Sequence, residues 1–406
     1  MRKPILFVLL AAAVAVPDLA GAQQPAAPAA PAEAKDEGLK LGIFDVSGYV
    51  DVSVSHLSRR NVFTSGVPNR VFDIERNGGA IRQIAGTLAY QPKEGLGGLL
   101  NLTIGKDADV IAPYKTSPQK GNLCNVVTNI DANGNSCDRD RFDVTQAFLQ
   151  YAKGSWTLVG GKYVTLAGAE VINTPTNTNF SRSILFGYAI PFSHTGLRVK
   201  YDFSDTFSLT GGVNQGWDDI RDTNSSKTGE LGVAWSPNKM VSLAAQGYFG
   251  RERAAGLTKT ELAAPLQLEG QRKLLDVVLT INATEKLTFV LNYDNASQEN
   301  TVNVTPGGAT KSKWDGFAGY ANYQFNDQWR LSFRTEVFND KQGYRTGVIQ
   351  RWKENTLTVA WLPIKPVELR AEIRRDRSNV ASFLDVDGVT GRNNNNSYGL
   401  QFLYKF

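Results

Sequence analysis

The sequence is poor in the residues that most catalytic and metal chemistry requires. Two cysteines and two histidines in 406 residues leave little material for a metal centre or a thiol nucleophile, and no cofactor is expected. The methionines also number two. No segment offers eighteen consecutive apolar residues, which excludes a membrane-spanning helix. A strong excess of one charge is missing too: the formal net charge is +5, too weak to imply a nucleic-acid partner. A mean hydropathy of -0.27 looks like that of a soluble protein and hides any membrane character. The length exceeds what one soluble core usually holds, so several domains are expected unless the chain is a barrel or a solenoid.

What is present begins with a leader. Arg2 and Lys3 precede an apolar run from Ile5 to Val16 and small residues at Ala20, Gly21 and Ala22. That order reads as a secretory signal peptide over residues 1–22, and its apolar run is too short for a membrane anchor. Residues 23–42 are rich in alanine and proline and have no apolar face to bury, so they read as a disordered lead. The remaining 43–406 reads as one unit.

That unit is built on a period of two. In FDVSGYVDVSVSH, Phe44, Val46, Gly48, Val50, Val52 and Val54 alternate with Asp45, Ser47, Tyr49, Asp51, Ser53 and Ser55. This is a strand with one apolar and one polar face. The pattern recurs along the chain, for example at Leu287, Phe289, Leu291 and Tyr293. About sixteen such segments can be counted, of the length an outer-membrane strand needs. Short connections at Lys153, Asp202, Ser236, Ala283, Asn326 and Leu362 alternate with long polar stretches around 57–79, 108–141, 164–193, 251–271, 297–312 and 378–396. Short turns at one end and long loops at the other predict an all-β fold: a transmembrane antiparallel β-barrel of about 16 strands with short periplasmic turns and long extracellular loops. A sandwich has no such regular alternation.

The polar parity of the later segments carries charge. Arg330, Arg334, Glu336, Glu368, Arg370, Glu372 and Arg374 share one face, and Leu331, Phe333, Val337, Val367, Leu369 and Ile373 share the other. A charge facing lipid near the midplane costs about 2–4 kcal/mol, so the charged parity is expected to line a wet lumen. About sixteen strands leave room for an aqueous channel.

Several stretches resemble the beta-barrel porin-2 (OmpL-like) family of Gram-negative bacteria. They are GYVDV (48–52), QAFLQY (146–151), GGKYVTLAGAEVI (160–172), NFSRSILFGYAIPFSHTGLRVKYDFSD (179–205) and GGVNQGWDD (211–219). The resemblance implies a bacterial outer-membrane porin that passes small hydrophilic solutes by diffusion. It is not expected to be an enzyme. Its expected partners are outer-membrane lipid, the solutes and the barrel-assembly machinery, with a homotrimer expected by analogy with porins of this size. A surface receptor or adhesin using the long loops shares the same architecture and is the alternative.

By resemblance to porins of about sixteen strands, the third long loop is expected to fold into the channel and narrow it; an external loop with solvated charges is the alternative. Glu170, Arg182 and His194 lie in or beside that loop, and Lys162, Arg198 and Lys200 are assigned to the lumen phase of the flanking strands. With Arg334, Glu336, Arg370 and Arg374 they make the expected pore-lining set, and opposed charges at a narrowing set ion preference. The basic excess of Lys162, Arg182, Arg198 and Lys200 predicts a weak anion preference. Cys124 and Cys137, close together in a polar loop of an exported chain, read as one disulfide. The Asp131, Asn133, Asn135 spacing lacks the later ligands of a calcium loop and reads as a turn. Ser193 and His194 are adjacent and point to opposite faces of a strand, so they make no catalytic pair. The final segment, NSYGLQFLYKF, places Tyr398, Leu400, Phe402, Tyr404 and Phe406 in strand phase. It reads as the closing strand, meeting the first at Phe44, with Phe406 as the assembly signal.

Overall fold

The computed structural model describes residues 39–73, 76–111, 142–220, 222, 224–253, 269–301 and 311–406. The leader, all but the last residues of the Ala/Pro lead, and the loop holding Cys124, Asp131 and Cys137 lie outside them.

Sixteen antiparallel strands follow one another around the wall. The first eight are β1 (Phe44–Leu57), β2 (Asn77–Tyr90), β3 (Gly95–Ile104), β4 (Phe142–Lys153), β5 (Trp156–Val164), β6 (Ser193–Ser204), β7 (Phe207–Asn214) and β8 (Thr228–Trp235). The second eight are β9 (Val241–Arg253), β10 (Glu269–Asn282), β11 (Leu287–Glu299), β12 (Lys311–Asn326), β13 (Trp329–Asp340), β14 (Gln350–Ile364), β15 (Val367–Ser378) and β16 (Asn394–Lys405). Each pairs with its sequence neighbour, and β16 pairs with β1 from Ser397↔Leu57 to Lys405↔Tyr49. The sheet therefore closes on itself, leaving no unpaired edge for lipid to face.

Closure ends at Gly48. The Gly48 amide donates to the Phe406 carbonyl (2.8 Å) and the Phe406 amide to the Gly48 carbonyl (2.9 Å). Gly48 has to be small, because a Cβ there would sit 2.4 Å from the Phe406 ring. Phe44 lies beyond the seam and pairs with Leu41 in a two-residue strand, Lys40–Leu41, so the end of the Ala/Pro lead is ordered.

The alternation places side chains as a barrel requires. On β16, Tyr398, Leu400 and Phe402 are exposed on the outer face while Ser397, Gln401 and Leu403 are buried within. Near the short turns, outward aromatic pairs such as Trp156–Tyr201 and Trp329–Trp361 form an interfacial belt. The sequence expectation missed one short turn, 91–94, and two loops at the long-loop end, 215–227 and 341–349. The 341–349 loop is short and carries Tyr344, Val348 and Ile349, so its polarity does not mark it. The 215–227 loop is polar enough to be read as a loop, with Trp217 and Ile220 its only large apolar residues.

The lumen differs from the wet channel wall expected. In its extracellular half, Tyr248, Leu274, Trp314, Phe338 and Trp352 point inward and pack with Ile184, Leu185, Phe186, Tyr188 and Ile190 of the third long loop. The charged parity is inward as predicted, but Arg334, Glu336, Arg370 and Arg374 are each 4% exposed or less. Loop chain covers them.

Deleting Phe406 is expected to remove both seam bonds at Gly48. Little heat-stable barrel should then be recovered by electrophoretic mobility shift, whereas conductance of any barrel that does form should be near normal.

Candidate functional site

The third long loop, residues 165–192, is the center of the site. It carries a short 3-10 turn (Thr174–Thr176) and the five-residue helix α2 (Ile184–Tyr188); a preceding short helix, α1 (Ala108–Ile111), opens the second loop. Ser183 caps α2, its hydroxyl accepting from the Phe186 amide at 3.0 Å. A loop inside a barrel must find partners for its backbone. Here three carboxylates take a run of its amides. Glu372 accepts from Phe180 (2.7 Å) and Ser181 (3.1 Å), Glu170 from Ser183 (2.7 Å), and Glu336 from Ile184 (2.7 Å) and Leu185 (3.1 Å).

Arginines take the carbonyls. Arg334 of β13 donates to the Ser181 carbonyl (2.6 Å), to Glu170 (2.6 Å) and to Glu354 of β14 (2.9 Å). Arg374 donates to the Arg182 carbonyl (2.7 Å) and binds Asp376 (2.7 Å); Arg370 donates to the Asn179 carbonyl (3.1 Å) and binds Glu368 (2.7 Å). Trp314 donates its indole N–H to the Ala189 carbonyl (3.0 Å). Gly316 of β12 leaves room for the helix, since a Cβ there would meet Leu185 at 2.7 Å. Across the lumen, Gln83 of β2 donates to the Ile172 carbonyl (3.2 Å). The loop thus reaches from β12–β15 to β2, inside the barrel.

The Arg182 guanidinium forms its hydrogen bonds within its own loop. It donates to the Val171 and Ile172 carbonyls and to the Thr174 hydroxyl, and lies over the Phe72 and Phe186 rings. A second cluster holds the start of the loop. Arg198 forms a two-pronged pair with Glu230 of β8 (2.7 and 3.0 Å) over the Tyr163 ring, and Tyr248 donates to Glu230 while accepting from the Leu166 amide. His194 is fully buried, stacked on Tyr248, with Nδ1 3.1 Å from the Gly216 carbonyl. Where the loop leaves, Asp218 accepts from the Phe192 and Ser193 amides (2.6 and 2.9 Å). Burial pushes the Asp218 carboxyl up to about 6, against these two bonds and the nearby Arg345 and Arg272.

Lys200 stands apart from the loop, paired with Asp202 at 2.7 Å and partly open to water. Lys162 is out of the expected phase. It pairs with Ala147 and Thr195, on the parity of the exposed Trp156 and Leu158, whereas the inward residues of β5 are Val159 and Tyr163. Gly160 and Gly161 carry no side chain to mark a face, which hides the phase in the sequence. The Lys162 ammonium binds Asp143 (2.9 Å) and the Val144 carbonyl (2.7 Å). Sequence reasoning did not single out Glu354, Glu230, Asp143 or Tyr248. Inward parity could have marked Glu354, but its partner Arg334 is identified only by the register.

A closed sixteen-stranded barrel with aromatic belts, an inward charged parity and an inserted third loop defines a bacterial outer-membrane channel. The family model "Putative beta-barrel porin-2, OmpL-like" matches residues 43–406, and the chain belongs to that family of outer-membrane porins. Among solved structures, it is similar to the outer membrane channel DcaP of Acinetobacter baumannii (12% identity, 91% of this chain and 99% of that chain, TM-score 0.58). It is similar also to an anion-selective porin from Comamonas acidovorans (11% identity, 89% and 99%, TM-score 0.59). A third is the outer-membrane expressed OmpT of Vibrio cholerae (13% identity, 91% and 100%, TM-score 0.56). No curated relative matches the sequence.

Replacing Arg334 with Met strips a buried cation from Glu170 and Glu354 and is expected to cost about 3–5 kcal/mol, read as a lower denaturant midpoint. For Asp218, the folded carboxyl binds its proton more tightly than the unfolded one, so its contribution to stability falls as pH rises from about 4 to about 6. Asp218→Asn should flatten that part of the profile of melting temperature against pH.

Proposed function

We propose that the chain is a passive diffusion porin in which the third loop forms the constriction. The single observation that carries this reading is the seating of residues 165–192 inside the barrel, bonded to both β12–β15 and β2. No reaction is involved: the solute is a small hydrophilic molecule, and selection comes from the width left beside the loop and from the field of its charges. That field is largely balanced. Arg334, Arg370, Arg374, Arg198 and Lys200 each face a carboxylate. Arg182 is held by carbonyls and a hydroxyl. Among the described residues no carboxylate contacts its guanidinium, although Glu336 and Glu372, bonded mainly to loop amides, offset it within the same cluster. The weak anion preference proposed rests on the cations at and beside the loop, Arg182, Arg198 and Lys200, and not on a net positive lumen. The assembly proposed is a homotrimer; one solved OmpT structure of Vibrio cholerae is itself described as a trimer form.

Planar-bilayer recording of the purified protein tests the reading. Ohmic channels with a reversal potential displaced slightly toward anions in a salt gradient are expected. Deleting residues 167–190 should raise single-channel conductance several-fold. Absence of channels where a control porin opens would remove the proposal, and a clear cation preference would remove its selectivity.

A further inference from the structure

On β14 and β15 the outward side chains change character at one level. From the periplasmic side upward they run Trp361, Val359 and Leu357 on β14, and Leu369, Ala371 and Ile373 on β15. Leu357 and Ile373 face each other as the last apolar cross-strand pair. Above them come Asn355 opposite Arg375 and Lys353 opposite Arg377, followed by Arg351. All of these polar side chains are exposed. On β13 the residue beside Arg351 is Asn339, and on β16 Arg375 and Arg377 face Asn396 and Asn394.

Arg351, Lys353, Arg375 and Arg377 therefore form a compact patch of four cations flanked by asparagines. They form no ion pair among the described residues. Asp315, the outward carboxylate two strands away, is bound to Lys341. Like charges directly opposite on a sheet destabilise it, so Lys353 facing Arg377 calls for an anion from outside the chain. Height tells which kind. The eight residues from Trp361, in the aromatic belt, to Lys353 rise about 26 Å along the strand, or roughly 20 Å vertically at a barrel tilt. That approaches the apolar band of an outer-membrane barrel, about 25 Å, so the patch meets the head-group layer of the outer leaflet.

We propose that this patch is a binding site for the phosphate-bearing head group of an outer-leaflet lipid. Arginine forks suit phosphate oxygens, and the acyl chains would lie along the Leu357, Ile373 and Tyr398 face below. A second copy of the chain is a poorer occupant, because the outward-parity carboxylates Glu299 and Asp315 are already bound, to Lys311 and Lys341, and Glu269 on β10 is likewise engaged. The inference rests on the barrel and its membrane position, not on the conducting pathway. It stands or falls separately from the porin reading.

The test uses the full-length folded protein in a non-ionic detergent, titrated with bis-phosphorylated lipid A and with the same lipid after removal of both phosphates. Bound lipid is counted by native mass spectrometry. The wild type should prefer the phosphorylated form by at least about tenfold, and the preference should weaken with salt. The variant Arg351→Gln/Lys353→Gln/Arg375→Gln/Arg377→Gln should lose the preference and keep its single-channel conductance. If that variant fails to fold, Lys353→Gln/Arg377→Gln should still lower the preference several-fold. Equal binding of both lipids by the wild type, unchanged preference in the folded variants, or equally tight binding of inorganic phosphate alone would overturn the proposal. So would a variant that loses an oligomer while its lipid preference is unaltered.

Discussion

A stretch of irregular backbone can lie inside a barrel only if its amides and carbonyls are bonded there, since each unpartnered buried group costs about 1–3 kcal/mol. This constraint organises the extracellular half of the molecule. Five amides between Phe180 and Leu185 are met by Glu372, Glu170 and Glu336, and three nearby carbonyls by Arg334, Arg374 and Arg370. The charges that do this are themselves buried, so each needs a counter-charge. The alternation of acid and base along β13–β15 provides it: Arg334 binds Glu354, Arg370 binds Glu368, and Arg374 binds Asp376.

Ion pairs of this kind give direction more than net stability, because removing charges from water offsets much of their attraction. The apolar contacts supply the other part. Trp314, Phe338, Trp352 and Tyr248 project into the lumen and meet Ile184, Leu185, Tyr188 and Ile190, which places a hydrophobic core inside a membrane barrel. Gly316 is the concession that lets α2 lie against the wall. Two environments thus share each strand: an outer face made for lipid, and an inner face made for one particular loop.

Much of this was legible from local pattern. The period of two gave the strands, and connection lengths gave the ends of the barrel. The charged parity of β13 and β15 pointed inward as read, and the alternation of Tyr398, Leu400 and Phe402 identified the lipid face of β16. The errors are equally physical. Lys162 follows two glycines that show no face, so its phase could not be read. The loop at 341–349 is short and partly apolar, whereas 215–227 carries a mostly polar run from Asp218 to Lys227 that could have marked it. A wet lumen was expected because charge normally signals water, and nothing local says that a loop residue more than 150 positions away will cover it.

The sequence by itself determined the membrane-barrel class, the strand order, the two faces of most strands, β5 excepted, and the position of the seam near Phe406. These follow from side-chain periodicity and connection length, which are properties of neighbouring residues. Only the tertiary structure decided which charges meet. Glu170 and Arg334 are separated by 164 positions, and Phe180 and Glu372 by 192. Their contact depends on the register of sixteen strands and the path of one loop through the space they enclose, and neither is encoded in a local pattern.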